Sequence, residues 1–356
     1  MKAISVNSGN DKVVIIGANG VMGAAAAAVF AGAGFRVTML ARGLDKARQA
    51  LEAAQNAARA EALSERITLG TYERDLTREA GEASIIFEAL AENLALKREF
   101  LRKIDACRRP DSIVATNSSG LSIVAMVEGM SESIRQHFMG IHLYNPPHII
   151  AGTELIPHPE AGAELVARVK QMLAKRLGRK VIVTRDRPAF AGNRVGFRVM
   201  NEAAQLAVEH GVAFIDYLIG PHTGRAMAPL VTVDLVGWDV HRAIVDNVYA
   251  NCPEDEARER FKLPDYMAEG IAQGRLGDKT PERGGFYRRA AGRTVEVLDA
   301  GRGGYQPFIP PKPIEFVERM KGLNRVGRYR EAMAVLAPED APAPIVRPPA
   351  LTEGSR

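Results

Sequence analysis

The sequence feature that most constrains the fold is the stretch at residues 12–30, KVVIIGANGVMGAAAAAVF, where an apolar run precedes three glycines and an alanine-rich segment. The valines and isoleucines of the run are typical of a central parallel strand buried on both faces. We expect Gly17 to turn the chain, Gly20 to let a pyrophosphate approach the backbone, and Gly23 to let the next helix pack closely on the sheet. The stretch therefore predicts the first strand, turn and helix of a dinucleotide-binding fold.

The spacing of these glycines departs from the usual fingerprint. They stand at the first, fourth and seventh positions of GANGVMG, whereas the fingerprint has the first, third and sixth. The turn is one residue longer, and we expect Asn19 to accommodate the extra position, because asparagine tolerates a left-handed conformation. Val21 and Met22 follow at the start of the helix, where free N–H groups and the positive dipole end favour phosphates. The alternative is a tight strand-to-helix turn that binds no ligand.

The composition is that of an ordinary globular protein long enough for two domains, with 356 residues, 25% of them charged and 46% hydrophobic. No apolar run approaches the roughly 18 residues of a membrane span, and residues 1–11, an expected flexible amino terminus, lack a secretory pattern. Cys107 and Cys252 are the only cysteines and lack metal-type spacing, so we expect a reduced, cytoplasmic setting and no metal site. The net charge of +5 fits an anionic ligand such as a nucleotide or a coenzyme A ester. Because no stripe of interleaved aromatic and basic residues occurs, we expect no nucleic-acid partner.

Strand-like and helix-like segments alternate through the first half of the chain. After the first strand, an amphipathic helix is expected at residues 44–60, and five more strands are expected at residues 36–40, 67–72, 84–88, 112–116 and 139–145. This alternation predicts an α/β fold over residues 12–186, a Rossmann-type doubly wound parallel sheet.

The residue that follows the second strand affects the choice of cofactor. NAD-binding folds place a carboxylate there, which accepts hydrogen bonds from the ribose hydroxyls. Here the strand runs into Ala41 and Arg42. An arginine would attract a 2′-phosphate, so this position favours NADP, unless Arg42 only begins the next helix on a solvated face.

Polar side chains also follow the fourth and fifth predicted strands. Glu92 and Lys97 lie beyond the fourth strand, and Asn117 and Ser119 follow the fifth. Doubly wound sheets bind ligands at the carboxyl ends of their strands, so a cofactor or substrate role is open to these residues. Equally, Glu92 and Lys97 could form a pair on a helix surface, and the hydroxyl and amide groups could cap the next helix.

A histidine lies on the predicted strand at residues 139–145. His142 is followed twelve residues later by Glu154. A histidine that exchanges a proton with a substrate hydroxyl needs a carboxylate on its other nitrogen, which fixes the tautomer and stabilises the charged ring. His142 and Glu154 could be that pair, although a structural role is the commoner one for any single histidine.

The pattern changes to long helices in the second half of the chain. Residues 187–299 are predicted to form an all-α domain for substrate binding and dimerisation, with helices at residues 189–209, 216–225, 234–247 and 265–273. A turn-rich segment follows at residues 274–287. Residues 300–356 are interpreted as a linker-like tail with helices at 313–321 and 328–336 and a disordered end over the last twenty residues.

Taken in order, these motifs resemble the 3-hydroxyacyl-CoA dehydrogenase family over residues 12–287. Members carry a glycine turn ending in Met-Gly, a Glu-Asn-Leu with a downstream lysine, an asparagine-serine segment, a His-x-x-Asn-Pro segment, and a glutamate twelve residues beyond that histidine. All occur here in the same order, as Met22-Gly23, Glu92-Asn93-Leu94 with Lys97, residues 117–119, His142 to Pro146, and Glu154. Residues 189–194 and 277–287 are similar to the family's Gly-Phe-x-x-Asn-Arg and closing Gly-Phe-Tyr segments.

The resemblance implies reversible hydride transfer between C3 of a 3-hydroxyacyl-CoA and C4 of the nicotinamide of NAD, in fatty-acid β-oxidation or related acyl-CoA metabolism. The apolar faces of the predicted helical second domain indicate a homodimer. The resemblance also implies that His142 takes the hydroxyl proton while Glu154 orients the imidazole and stabilises its cation. Ser119 and Asn193 would hydrogen-bond the reacting oxygens, with Asn193 coming from the second domain, so that closure of the cleft completes the site. The cofactor-binding residues would be Gly17, Gly20, Val21, Met22, Gly23, Arg42, Glu92, Lys97, Asn117 and Asn145.

Several features depart from the family pattern. The glycine turn is longer, Ala41 and Arg42 replace an acidic residue, and Gly120 replaces a second serine. Residues 44–84 are shorter than in typical members, where a helical hairpin contacts coenzyme A. Two alternatives therefore stay open: a dehydrogenase of a free 3-hydroxy acid, and a catalytically silent nucleotide-binding partner protein. The tail after Tyr287 is similar to the linker of bifunctional members, in which a hydratase domain follows.

Overall fold

A computed structural model describes residues 11–289 and 295–336, and the chain forms two compact units, the first ending at Asn193 and the second starting at Arg194. The first unit is an eight-stranded sheet with helices on both faces. Its strands are β1 Lys12–Ile16, β2 Arg36–Ala41, β3 Ile67–Thr71, β4 Ile85–Glu88, β5 Ile113–Thr116, β6 Phe138–Leu143, β7 Gly152–Pro157 and β8 Lys180–Val183. Its helices are α1 Val21–Gly32, α2 Leu44–Ala58, α3 Tyr72–Glu82, α4 Leu94–Cys107, α5 Ile123–Met126, α6 Glu132–His137 and α7 Ala163–Lys175.

The strand order in this sheet is β3-β2-β1-β4-β5-β6-β7-β8. Strands β1 to β6 run parallel, whereas β7 is antiparallel to β6 and parallel to β8. The chain leaves β1 toward β2 and β3 on one side and returns to β4 on the other, and ligands of doubly wound sheets bind at such a switch point. The predicted Rossmann-type fold is confirmed, while β7, β8 and α7 add to the predicted elements.

The buried residues of β1 explain why the sheet needs helices on both faces. Val13 and Ile15 belong to one apolar cluster, which α1, α2 and α7 complete. Val14 and Ile16 belong to a second cluster on the other face, with residues of α3, α4, α5 and α6. Because successive strand residues point to opposite faces, a run of valine and isoleucine is stable only when both faces are covered.

The second unit is mainly helical and carries a small antiparallel sheet of order β11-β10-β9. Its helices are α8 Gly192–His210, which starts in the first unit, α9 Val212–Leu218, α10 Pro229–Val236, α11 Trp238–Asn251, α12 Asp265–Ala272, α13 Glu315–Arg325 and α14 Tyr329–Ala334. Its strands are β9 Tyr287–Arg289, β10 Val295–Leu298 and β11 Tyr305–Pro307. The prediction of a helical second domain is confirmed, but the three strands were not predicted.

Three predicted helix boundaries in this part of the chain are wrong. The helix expected from residue 189 begins at Gly192, because Ala189 and Phe190 adopt left-handed backbone conformations with φ of 61° and 50°. The helix expected over residues 216–225 instead ends at Leu218. The helix expected over 234–247 is two helices, α10 and α11, which Gly237 separates with a φ of 97°.

The segment interpreted as a linker-like tail is folded over its described part. Val317 and Met320 of α13 are fully buried, and the Tyr305 hydroxyl donates to the Gly285 carbonyl oxygen at 2.7 Å. Residues 1–10 and 337–356, which include the expected flexible amino terminus and disordered end, lie outside the described residues. Within the described part of the chain, no helix is both long and apolar enough to cross a membrane.

Candidate active site

The glycine turn after β1 is built by close backbone packing. Gly17 has a φ of 83°, and a Cβ there would lie 2.5 Å from the Ala89 carbonyl oxygen after β4. A Cβ at Gly23 would lie 2.2 Å from the Gly17 carbonyl oxygen. The Gly20 amide closes the turn by donating to that same oxygen at 3.0 Å. Gly17 and Gly23 are therefore required by the fold, as expected for the first and last glycines of the turn.

The expectation for Asn19 is wrong: Gly17, not Asn19, supplies the positive φ of the longer turn. α1 then begins at Val21, and no side chain caps its first amides. A cavity of about 320 Å³ lies beside this turn within the first unit. Its lining residues come from the turn, from α1, from α2 and from the loop after β6: Asn19, Gly20, Val21, Ala24, Ala25, Lys46, Gln49, Ala50, Ala53, Ala57, Asn145, Pro146 and His148. The structure thus brings Asn145 to the same cavity as Gly20 and Val21.

Arg42 follows β2 with an exposed side chain. The Tyr72 hydroxyl lies at the glycine turn, where it accepts a hydrogen bond from the Gly17 amide at 2.9 Å. Burial raises the pKa of Tyr72, against the opposing effects of this amide and of the positive charge of Arg42. Arg42 therefore places a cation near the end of the sheet that carries the glycine turn.

A buried ion pair lies at the carboxyl ends of β4 and β5. The Lys97 ammonium donates to both carboxylate oxygens of Glu88, at 2.8 and 3.0 Å, and these side chains are 1% and 0% exposed. Glu88 also accepts from the Leu90 amide and from the Thr116 hydroxyl, each at 2.5 Å. The alternative of a surface pair between Glu92 and Lys97 is therefore wrong, because Lys97 points inward and bonds chiefly to Glu88.

Glu92 lies in the loop before α4 and binds the turn after β5. Its Oε1 accepts from the Ser118 hydroxyl at 2.5 Å, the Ser119 amide at 3.1 Å and the Gly120 amide at 2.8 Å. Burial tends to raise the pKa of Glu92, but the Ser118 hydroxyl, the charge of Lys97 and the two amides outweigh it, so the pKa lies below its ordinary value. The capping alternative for this turn is wrong, because the cap of α5 is Ser122.

Asn117 connects the same turn to the next strand. Its side-chain oxygen accepts from the Leu143 amide, at the end of β6, at 2.8 Å. The polar atoms of Lys97, Glu92 and Asn117 are thus occupied mainly by neighbouring segments of the chain. Ser119 differs, because its hydroxyl has no hydrogen-bond partner within the described part of the first unit.

His142 and Glu154 face each other across the antiparallel strands β6 and β7. They are register partners, and Nδ1 of His142 lies 2.7 Å from Oε2 of Glu154. The other carboxylate oxygen accepts from the amides of Ala191 and Gly192, at 2.8 and 2.9 Å. An imidazole held in this way presents Nε2, which accepts a proton when the ring is neutral and returns it when the ring is charged.

Glu154 is buried, which tends to raise its pKa. Hydrogen bonds from His142, the Gly192 amide, the Tyr144 hydroxyl and the Ala191 amide outweigh this effect and hold the pKa below its ordinary value. The carboxylate is therefore charged at neutral pH and can stabilise a protonated imidazole.

Asn193 directly follows the two amides that bind Glu154. It is the last residue of the first compact unit. Its side chain is half-buried at the start of α8. The joint between β8 and α8 therefore brings Asn193 toward the pair of His142 and Glu154 by way of the backbone.

Several residues of the site were not predicted from the sequence. Glu88 ends an otherwise apolar strand, and a carboxylate in that position is a usable signal. Tyr144 follows His142 by two residues, the spacing of one strand face. The ring of Phe190 lies 5.8 Å from that of His142 between centroids, and the signal for it was its place in the segment similar to the family's Gly-Phe-x-x-Asn-Arg.

Known proteins resemble the chain in both sequence and structure. Residues 12–187 match the family described as 3-hydroxyacyl-CoA dehydrogenase, NAD binding domain, and residues 190–289 match the C-terminal domain of the same family. A probable 3-hydroxyacyl-CoA dehydrogenase of Deinococcus radiodurans is 33% identical over 292 residues, which cover 78% of this chain and 82% of that protein.

Two further relatives define the extent of the similarity. A probable 3-hydroxyacyl-CoA dehydrogenase of Bacillus subtilis is 33% identical over 236 residues, which are 65% of this chain. The matched part is only 29% of that longer protein. The crystal structure of (S)-3-hydroxybutyryl-CoA dehydrogenase from Ralstonia eutropha superposes with a TM-score of 0.66 at 27% identity, covering 76% of this chain and 97% of that one.

Proposed function

The chain belongs to the 3-hydroxyacyl-CoA dehydrogenase family, whose amino-terminal domain binds NAD, and from this premise we propose that it catalyses reversible oxidation of a 3-hydroxyacyl-CoA to the 3-oxoacyl-CoA. The observation that carries the proposal is the 2.7 Å contact between His142 and Glu154 at the sheet edge that also holds the glycine turn. The setting is fatty-acid or related acyl-CoA metabolism.

The glycine turn fits a dinucleotide. A Cβ at Gly20 would meet only the Gly17 and Ala89 carbonyl oxygens, at 3.4 and 3.7 Å, so the protein itself does not require glycine there. Its absence keeps the outer side of the turn open, next to the uncapped amides at the start of α1. Gly20, Val21 and Met22 would hold the pyrophosphate, and Asn145 would contact the cofactor from the same cavity.

His142 would do the proton chemistry. When bound, the nicotinamide supplies the acceptor for the hydride that leaves C3 of the substrate. Nε2 of His142 takes the proton of the C3 hydroxyl, so that the C–O single bond becomes the carbonyl, and Glu154 stabilises the imidazolium. In the reverse direction, the imidazolium returns this proton to the oxygen. Ser119 and Asn193 would hydrogen-bond the reacting oxygens.

Lys97, Glu92 and Asn117 would serve the cofactor site indirectly. Lys97 is 1% exposed and its ammonium is bound to Glu88, so we assign it to holding the loop after β4. Glu92 and Asn117 would fix the turn that carries Ser119, which positions the hydroxyl for the substrate.

Arg42 decides between the two nicotinamide cofactors. The family binds NAD, whereas an exposed arginine after β2 favours the 2′-phosphate of NADP. Arg42→Glu should lower kcat/KM with NADPH by at least tenfold and leave it nearly unchanged with NADH, if Arg42 contacts that phosphate. Equal effects on the two cofactors would make Arg42 a surface residue.

The main experiment follows nicotinamide absorbance during reduction of acetoacetyl-CoA and oxidation of 3-hydroxybutyryl-CoA. We expect His142→Gln to lose about 10²- to 10⁴-fold in kcat while NADH binding, measured by fluorescence, stays within twofold. His137→Gln is the matched control, because His137 ends α6, before β6, and its Nδ1 bonds to the Ser133 carbonyl oxygen within that helix. Undiminished turnover in His142→Gln would contradict the mechanism.

The same assay separates the alternatives. Turnover of free 3-hydroxybutyrate in preference to the thioester would indicate a free-acid dehydrogenase. NADH binding without turnover of any 3-hydroxyacyl compound would indicate a catalytically silent partner protein.

We also propose a homodimer formed through the second unit and a cytoplasmic location. Exposed apolar side chains on α8, α10 and α11 favour self-association: Val195, Val231, Leu235 and Val240. Neither Cys107 nor Cys252 forms a disulfide in the described part of the chain, which suits a reducing compartment. Light scattering during size-exclusion chromatography tests the dimer, and a monomeric mass at micromolar concentration would exclude it.

A further inference from the structure

The carboxylate of Glu154 is shared between His142 and a third side chain, Tyr144. The Tyr144 hydroxyl donates to Oε2 at 2.7 Å, the same oxygen that lies 2.7 Å from Nδ1 of His142. The tyrosine and histidine rings are in contact, with centroids 4.7 Å apart. Two donors therefore share one oxygen, and each hydrogen bond weakens the other because it withdraws electron density from that oxygen.

We propose that Tyr144 is a positioning residue that tunes the basicity of His142 through Glu154. The inference rests on the proposed function and deepens it. A carboxylate that accepts a phenol hydrogen bond is a weaker partner for an imidazolium, so Tyr144 makes His142 a weaker base than a simple pair with Glu154 would produce. Tyr144 remains a donor because burial raises its pKa, so the phenol stays protonated.

The start of α8 is shaped around the same hydroxyl. A Cβ at Gly192 would lie 1.8 Å from the Tyr144 hydroxyl oxygen, so residue 192 must be glycine while this tyrosine is in place. The Gly192 amide in turn donates to Oε1 of Glu154. Tyr144 and Gly192 thus hold opposite oxygens of one carboxylate and fix its plane relative to the imidazole.

The groups around Glu154 in the first unit are few. β6 contributes His142, the segment after it contributes Tyr144, and the joint before α8 contributes the amides of Ala191 and Gly192. On β8, the register partner of Glu154 is Ile182, which carries no charge. Among the described residues of this unit, Tyr144 is therefore the side chain whose removal most directly changes the acceptor strength of Glu154.

The test compares wild type with Tyr144→Phe, which removes one oxygen and keeps the ring. We expect the acid limb of kcat/KM for 3-hydroxybutyryl-CoA oxidation to move to higher pH by roughly half a unit to one unit, the size of one lost hydrogen bond. The basic limb of acetoacetyl-CoA reduction should move in the same direction, because that reaction needs the protonated ring. Loss of activity without movement of either limb would indicate a merely structural role and would overturn the proposal.

A second measurement does not depend on turnover. Nitrogen-15 NMR of histidine-labelled protein, with the His142 signal assigned from its absence in His142→Gln, follows the imidazole directly as pH is changed. Its titration midpoint should be higher in Tyr144→Phe, and an unchanged midpoint overturns the proposal even if the protein is active. A raised midpoint in a protein without dehydrogenase activity would support the tuning and reject the proposed function.

Tyr287→Phe is the matched control. The Tyr287 hydroxyl also donates to a carboxylate, that of Asp216 in the second unit, at 2.9 Å. Tyr287→Phe should lose about as much stability as Tyr144→Phe. It should move neither the limbs of the pH profile nor the titration midpoint of His142.

Discussion

Replacing Lys97 with methionine should cost about 3 kcal/mol in the free energy of unfolding, because it leaves a carboxylate buried without its counter-ion. Glu88 is 0% exposed, and Lys97 contributes two of its four hydrogen bonds. The remaining donors, the Leu90 amide and the Thr116 hydroxyl, are neutral. Breaking a buried pair from one side costs about 3–5 kcal/mol, and the two surviving hydrogen bonds place the estimate at the low end.

Urea denaturation followed by far-UV circular dichroism measures this cost. The double variant Lys97→Met, Glu88→Gln is the informative comparison, since it leaves no stranded charge and should cost only about 1–2 kcal/mol. The double variant is therefore expected to be more stable than Lys97→Met alone, with an unchanged m-value. A cost below about 1 kcal/mol for Lys97→Met, or simple additivity of the two substitutions, would refute the argument that the pair is a buried and coupled unit.

Three further predictions concern the turn, a buried histidine and the tail. Gly17→Ala should reduce NADH affinity at least tenfold, because the new Cβ would meet the loop after β4. Gly34 has a similar φ of 88°, but a Cβ there would have no atom within 4 Å, so Gly34→Ala should cost only about 1–2 kcal/mol in stability. Equal NADH affinities of the two variants would contradict this. Burial lowers the pKa of His241 to about 3, so the contribution of this histidine to stability is present above pH 6.5 and is lost as pH falls. Between pH 7 and pH 5, the free energy of unfolding measured by urea titration should fall by about 2 kcal/mol less in His241→Leu than in wild type. Equal falls in the two proteins would disprove this. Truncation after Arg289 should lower Tm by several degrees, because it removes α13, whose Val317 and Met320 are fully buried. An unchanged Tm would show that the described tail does not stabilise the second unit.

The fold of the first unit could be predicted because its strands and turns depend mainly on residues that are neighbours in the sequence. The run at β1 alternates between two apolar clusters, and Gly17 and Gly23 are required by backbone contacts that leave no room for a Cβ. Strand ends were predicted to within a few residues for the same reason. Asn19 was misassigned because the extra position in the turn was visible but its backbone conformation was not.

The site was only partly predictable because its contacts join distant segments. Spacing left His142 and Glu154 as a hypothesis, and only the antiparallel register of β6 and β7 brings them together. The alternatives for Lys97 could not be resolved because its partner, Glu88, lies in an apolar strand and looks like part of the core. Tyr144 had no apparent role until the position of its hydroxyl was known.

In the helical half of the chain, from residue 187 onward, some errors arise at single residues whose backbone conformation differs from what their side chains suggest. Ala189 and Phe190 favour helix or strand by composition but adopt positive φ, since the Ala191 and Gly192 amides must reach Glu154. β10 lies at the end of the stretch predicted as all-α, and β11 lies in the glycine- and proline-rich segment interpreted as a linker-like tail. β10 pairs with β9 on one side and with β11 on the other, and local sequence could not show these backbone partners.

The three carboxylates of the site share one structural role, which explains why acidic residues occur at this end of an anion-binding fold. Glu88 accepts from the loop after β4, Glu92 from the turn after β5, and Glu154 from the joint before α8. Each receives backbone amides from a loop, a turn or the start of a helix, and for the buried Glu88 and Glu154 these hydrogen bonds offset the cost of burying the charge. Because all three segments lie where parallel strands end, the negative charges fix the loops while the uncapped amides of α1 remain available for the phosphates. Charged side chains therefore hold the loops in place, and free backbone amides face the ligand. Both roles follow from the sheet topology, since the loops at this end of the sheet must be fixed while the ligand site stays accessible.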